Sequence, residues 1–288
     1  MMENPDFILR SIQPDDIAGA MKLSSDEGWN QTKKDWELLT ESPQNICILA
    51  EHKQKVVGTT TAINYSNQIA WIGMVLVAKE NRGQGLSKLL LTNIFKRLES
   101  FKSIKLDATP EGQQVYKRFD FKDEFIITRM TITPTKSLSS DNINILPEPV
   151  HEKDIGEIIS LDAQVFGANR TQLCKWLIKE HPQKAWMLKQ NNRITGFALG
   201  RDGNKYHQIG PVIAQAIPEA KALITKAFNN FINQPIVIDV LSDKEDLINW
   251  LNSIGFIKQR NFIRMYKNKN PFPGMSDKQF AICGPEFG

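Results

Sequence analysis

Residues 71–94 read WIGMVLVAKENRGQGLSKLLLTNI, an apolar run that breaks at an arginine and two glycines and resumes as closely spaced leucines. The first eight residues are apolar on both alternating faces and include Val, Ile and Trp, which predicts a strand buried on both sides. Leu86, Leu90, Ile94 and Leu98 then recur every four residues, joined by Leu89 and Phe95, while Lys88, Lys96, Arg97 and Glu99 fill the other side of a helix. Gly83 and Gly85 therefore fall in a strand-to-helix turn, where backbone N–H groups and the positive end of the helix dipole converge. Without a Cβ to hold it away, a phosphate can approach those amides closely.

Two common phosphate loops do not fit: there is no GxxxxGK[ST], and GxGxxG would need a third glycine where Lys88 stands. What remains is Arg82-x-x-Gly85-x-Ser87. This resembles the pyrophosphate-binding signature of the GNAT superfamily of acyl-CoA-dependent N-acyltransferases: Arg or Gln, two residues, Gly, one residue, then Gly or Ala. Ser87 departs from it at the last small position. The surrounding order matches the resemblance. Residues 7–12 read as a strand, 15–23 and 32–40 as helices, and 46–65 as a hairpin turning at Lys53–Lys55. After the glycine turn come a strand at 104–109, a short helix opened by Pro110, and a final pair of strands within 119–133. Tyr116 followed by KRFDF is similar to the family's Tyr-x-x-x-Gly-Phe ending, with Asp120 at the Gly place.

Part of this order returns further on. DDIAGAMKLSSDEGW at Asp15 is echoed by KDIGEIISLDAQVFG at Lys153, VVGTTTA at Val56 by ITGFALG at Ile194, and the dipeptide RM at Arg129 recurs at Arg264. Aligned without gaps from Ile72 and Ile209, the residues Arg82, Gly85 and Ser87 fall on Glu219, Ala222 and Ile224, so the second copy is expected to have lost its phosphate turn. The chain thus resembles the tandem-GNAT proteins. The resemblance implies an α/β fold of two GNAT-like units, each a mixed, mostly antiparallel sheet flanked by helices. Their expected bounds are 1–135 for an acetyl-CoA-binding unit, 136–149 for a Ser-, Asn- and Pro-rich linker, and 150–288 for a degenerate unit that buttresses or completes the acceptor pocket.

Bulk composition excludes several other classes. Of the 288 residues 41% are apolar and 24% charged, as in an ordinary globular protein, and a net charge of +4 without a basic stripe argues against nucleic acid. No apolar run is long enough to span a membrane, and the first residues lack the pattern of a secretory signal. Cys47, Cys174 and Cys283 are scattered and lack zinc-ligand spacing, which fits a reduced, cytoplasmic setting and implies no metal.

The resemblance also implies site residues. Arg82, Gly83, Gln84, Gly85, Leu86 and Ser87 would bind the pyrophosphate, and the backbones of Val75, Leu76 and Val77 the pantetheine and the thioester carbonyl. Tyr116 would return a proton to the departing CoA thiolate. An amine with a pKa of about 10 must be deprotonated before it attacks; Glu27 and Asp107 are the candidate bases, and Trp29, Asn30 and Trp36 candidates for the acceptor pocket. Asp162, Arg170, Asp239 and Arg264 are charges in apolar strings, read as an internal ion-pair network, with recognition of a carboxylate-bearing acceptor as the alternative. Acetyl transfer to a small-molecule primary amine is the expected activity. The rival readings are a CoA-sensing or scaffold protein, and a tandem-GNAT aminoacyl or fatty-acyl transferase.

Overall fold

The computed structural model describes residues 7–139 and 146–288; residues 140–145 of the expected linker lie outside them. In chain order the first unit contains β1 (Ile8–Ser11), α1 (Ile17–Asp26), α2 (Lys33–Glu41), β2 (Ile46–His52), β3 (Lys55–Tyr65) and β4 (Ile69–Val77). It continues through α3 (Leu86–Arg97), β5 (Ser103–Ala108), α4 (Pro110–Lys117) and β6 (Lys122–Ile132). The second unit repeats the plan with β7 (Glu148–Pro149), α5 (Ile155–Phe166), α6 (Thr171–Glu180), β8 (Trp186–Gln190), β9 (Arg193–Arg201) and β10 (His207–Ile213). It ends with α7 (Ile217–Phe228), β11 (Ile236–Leu241), α8 (Glu245–Ser253), β12 (Ile257–Asn268) and an added β13 (Gln279–Ala281). The result is a mixed α/β fold, mostly antiparallel and flanked by helices, in which no helix of the described residues is long and apolar enough to cross a membrane.

Residues 119–133 hold one long strand, β6, where the sequence suggested two. Its neighbours come from the other unit. The strand order is β1-β2-β3-β4-β5-β12-β6-β11-β13-β10-β9-β8-β7, so β12 inserts between β5 and β6, and β6 lies against β11. Each unit thus lends its last long strand to the other, and thirteen strands among the described residues form one continuous sheet. Arg264 of β12 stands directly opposite Asp107 of β5, and Arg129 of β6 opposite Asp239 of β11. Both pairs are bidentate, at 2.8 and 2.9 Å and at 2.7 and 2.7 Å. The turn before the exchanged strand matches as well: Asp120 adopts φ +66, a left-handed conformation that its counterpart Gly255 supplies without strain.

The two units part company at the glycine turn. Residues 78–85 separate β4 from α3, whereas only residues 214–216 separate β10 from α7. Glu219, Ala222 and Ile224 are therefore not turn residues, as an ungapped alignment placed them, but lie inside α7. The loop itself has been shortened away, and the Glu219 carboxylate accepts from Gln215 N at 2.8 Å, occupying the start of its own helix. The strand edge is filled too: β10 pairs with β11 only over His207–Ile209, and beyond that β13 pairs with both. The second unit has plugged its own cleft.

A first unit cut away after Ser139 would lose β12 from the edge of β5 and both neighbours of β6. Such a piece is expected to lack a cooperative melt as a monomer, while the two pieces expressed together recover one transition by circular dichroism. A cooperative melt of residues 1–139 alone would show that the exchange is dispensable for folding.

Candidate functional site

The site begins where two strands separate. β4 runs parallel to β5 only from Ile69 to Trp71, opposite Ser103 to Lys105, so from Ile72 to Val77 its edge toward β5 is unpaired. On its other side the ladder with β3 slips between Thr59 and Thr61, Met74 takes φ +51, and Thr59 Oγ1 donates to Met74 O at 2.8 Å to hold the bulge. The opened edge leads to the glycine turn. Gly83 and Gly85 have φ +76 and +77, and a Cβ built at either would meet nothing within 4 Å, so the backbone faces open space. Gly85 caps α3, whose first N–H groups have no helical partner of their own. Arg82 beside them donates to Val77 O at 3.2 Å and to Glu27 Oε1 at 2.5 Å. This open edge, uncovered turn and adjoining cation form a cradle that fits a pyrophosphate with an extended amide-bearing arm.

A cavity of about 660 Å³ contains this cradle and continues past it. Val75, Leu76, Val77, Arg82, Gly83 and Gly85 line it, as do Leu86 and Ser87. Gln84 does not; its side chain bonds Glu80 O. Tyr116 lines the cavity from α4, half-buried against Phe121, and burial pushes its phenol pKa up, so the hydroxyl keeps its proton. Glu27, Trp29 and Asn30 come from the α1–α2 loop. Asn30 spends its side chain on the second unit, accepting from Lys205 N and Tyr206 N at 2.9 Å and donating to Tyr206 O at 3.0 Å. Trp36 is fully buried and belongs to the core instead of the cavity. Asp107 reaches the cavity, yet its side chain is 0% exposed and Arg264 binds both of its oxygens. Burial raises its pKa against the pull of that guanidinium.

The far wall was not among the sequence-derived candidates. Lys205, Tyr206, Gln259, Arg260 and Phe262 come from the second unit, Arg129 from the lent strand β6, and Pro285 and Glu286 from the segment after β13. That segment is threaded into the first unit: Tyr65 Oη donates to Phe287 O at 2.8 Å and Trp71 Nε1 to Pro285 O at 3.0 Å. The sequence signal for it was the charged GPEFG stretch after an apolar strand. Of the four charges read as an internal network, Asp162 and Arg170 pair with each other at 2.9 and 2.6 Å, fully buried, and Asp239 and Arg264 form the two pairs of the strand exchange.

Comparison with known proteins agrees with this geometry. Residues 13–125 and residues 158–281 each match a model of an acetyltransferase (GNAT) domain. The chain is 24% identical to a holothin acyltransferase from a Pseudoalteromonas strain, over 91% of this chain and 88% of that protein. A candidate acetyltransferase from Pyrococcus horikoshii superposes with a TM-score of 0.82 at 21% identity, covering 100% of this chain and 99% of the other. A tandem GNAT protein from the clavulanic acid biosynthesis pathway gives a TM-score of 0.62 at 10% identity, covering 91% and 98%. At such identities these structures speak for the fold alone.

The Asp107–Arg264 pair, of which Asp107 lines the cavity, is buried and joins the units, so removing one partner should cost more than removing both. Arg264→Met leaves a buried uncompensated carboxylate and is expected to destabilise by about 3–5 kcal/mol, whereas Asp107→Leu with Arg264→Met recovers most of that loss. Urea melts of the two variants test this; equal losses would mean that the cost is one of packing and not of charge.

Proposed function

The chain belongs to the GNAT acetyltransferase family, two of whose domains it carries in tandem, and from that premise we propose that it is an acetyl-CoA-dependent N-acetyltransferase acting by direct attack of a small-molecule primary amine. The observation that supports this most is the unpaired edge of β4 running into an uncovered glycine turn in the first unit only. The second unit's equivalent edge is filled by β13.

In this reading the N–H groups at the start of α3, with Gly83, Gly85, Ser87 and Arg82, hold the pyrophosphate, and the backbones of Val75, Leu76 and Val77 hold the arm and polarise the thioester carbonyl. Acetyl-CoA supplies an acyl group on a leaving thiolate. The amine nitrogen forms the new bond to the acyl carbon as the carbon–sulfur bond breaks. Tyr116, kept protonated by burial, gives the sulfur its proton. Glu27, a quarter exposed in the cavity lining, takes the acceptor's proton directly or through water. Asp107, tied at both oxygens, acts instead by fixing β12 against β5. Trp29 packs along the acceptor path, and Asn30 positions the Lys205–Tyr206 loop over it. The second unit therefore completes the acceptor pocket.

Replacing Arg82 and Gly85 together by alanine should weaken CoA binding by roughly tenfold or more, since a charge-assisted contact and open amides are both lost. The alanine at a left-handed position adds only about 1–2 kcal/mol of strain. Unchanged affinity in calorimetry would sink the assignment. Tyr116→Phe should leave CoA affinity intact and lower turnover within the ~10²–10⁴-fold range of general acid–base groups, read as thiol release with an amine that the intact protein acetylates. An undiminished rate excludes Tyr116 as the acid.

A further inference from the structure

The polar groups left over in the cavity come in two kinds, and each keeps at least one atom without a described partner. On the acceptor side of the hydrogen-bond inventory stands Glu286, 3% exposed, whose Oε1 bonds Arg201 while no described residue donates to Oε2. Gln31, 6% exposed, lines the same cavity with Oε1 unpartnered. Charge deepens the asymmetry. Arg201 is shared between Glu286 and the fully buried Asp35, and Arg129, whose field also reaches Glu286, is paired with Asp239, so two guanidiniums serve three carboxylates. A buried group of that composition invites one more cation.

On the donor side stands Arg129, 12% exposed at its side chain, which gives Nε and Nη2 to Asp239 and stacks over Phe262, leaving Nη1 without a described partner. Lys205 and Arg260 line the cavity from the second unit, and neither forms an ion pair with a described residue. A carboxylate oxygen and guanidinium nitrogens without described partners in one cavity describe a receptor for opposite charges on one small molecule.

We propose that the acceptor is an aminocarboxylate, an amino acid or a close relative, whose ammonium is received at Glu286 and Gln31 and whose carboxylate is received at Arg129 with Arg260 or Lys205 at the rim. This rests on the acyl-transfer reading above and names its substrate class. The product is an N-acyl amino acid. The nitrogen loses two protons in all: one is matched by the proton that ends on the thiol sulfur, and the other passes by way of Glu27 to bulk water. Guanidinium would accept a phosphate in place of the carboxylate, so the test must separate the two anions.

The intact protein, with and without saturating CoA, is titrated in a calorimeter with the proteinogenic amino acids, with the amines that lack their carboxylates (ethylamine, phenethylamine, cadaverine), with the acids that lack their amines, and with phosphoethanolamine. The expected result is an amino acid that binds while its amine-only and acid-only relatives bind roughly tenfold or more weakly, the scale of one lost charge-assisted contact. Glu286→Gln, which keeps a hydrogen-bond acceptor for Arg201, should weaken the amino acid to a similar degree and leave CoA affinity unchanged. Should that variant fold poorly, Arg260→Ala at the exposed rim gives the same reading for the carboxylate. The proposal is overturned by an amine that binds as tightly as its amino acid, by tighter binding of phosphoethanolamine, or by binding of no amino acid at all. Failure of the acyl-transfer reading would appear separately, as absence of CoA binding.

Discussion

Two buried guanidinium–carboxylate pairs, Asp107 with Arg264 and Asp239 with Arg129, sit at equivalent places in the two units and stitch each unit to a strand lent by the other. Their contribution is better understood as register than as net stability, because the desolvation of a buried pair consumes much of its Coulomb gain. A slip of one residue along β12 would carry Arg264 to the opposite face of the sheet and strand Asp107 in the core. Aromatic rings enclose both cations: Trp71 and Phe125 lie 4.6 and 4.9 Å from the Arg264 guanidinium, and Phe262 lies 4.8 Å from that of Arg129. The pairs alone do not dictate the exchange, since Arg129 could serve Asp107 in an unexchanged sheet. Bonds particular to β12 in its observed place add to them: Lys267 donates to Phe119 O at 2.6 Å and Asn268 to Phe101 O at 3.2 Å.

From that exchange follows the division of labour. Two similar units share one sheet, but only one keeps its strands apart. In the second, the shortened turn before α7 removes the cradle, and β13 closes the opened edge with backbone hydrogen bonds that a ligand would otherwise make. The strand that plugs the second cleft continues into residues 284–288 and so delivers Glu286 to the first. Closing one site and walling the other are consequences of the same stretch of chain.

How far this could be read from the sequence depended on range. Within the first unit the signals were local: the apolar run ending at Val77, the glycines at φ > 0, the leucine spacing of α3 and the Tyr116 helix are legible because each is a short pattern with one physical meaning. The recurrence of RM at Arg129 and Arg264 marked the repeat, but nothing in it says that β12 crosses into the first unit, because strand partners lie far apart in the chain and any antiparallel neighbour satisfies the ladder. Residues 119–133 suggest a final pair of strands but hold the single β6, whose partners β11 and β12 lie far along the chain. The far wall of the cavity was illegible on similar grounds. Arg129, Arg260 and Glu286 come from three separate segments and carry no shared motif. Asp107 was visible as an acid at a strand end, but not the guanidinium that occupies both its oxygens.

The same network that joins the units also sets the shape of the pocket. Asp35 caps α2 through Thr32 and at the same time accepts from Arg201, so the α1–α2 loop, which carries Glu27, Trp29 and Asn30, is pinned from below to the second unit. Asn30 pins it from above to the backbone of Lys205 and Tyr206. A loop held at two points by the other unit loses little further freedom when a ligand arrives, which lowers the ordering cost of binding. In the reading proposed above, the second unit contributes to recognition twice, through the charged groups it places in the wall and through the rigidity it imposes on a loop it does not own. A change at Arg201 would therefore reach the cavity from both directions, by freeing Asp35 and by releasing Glu286.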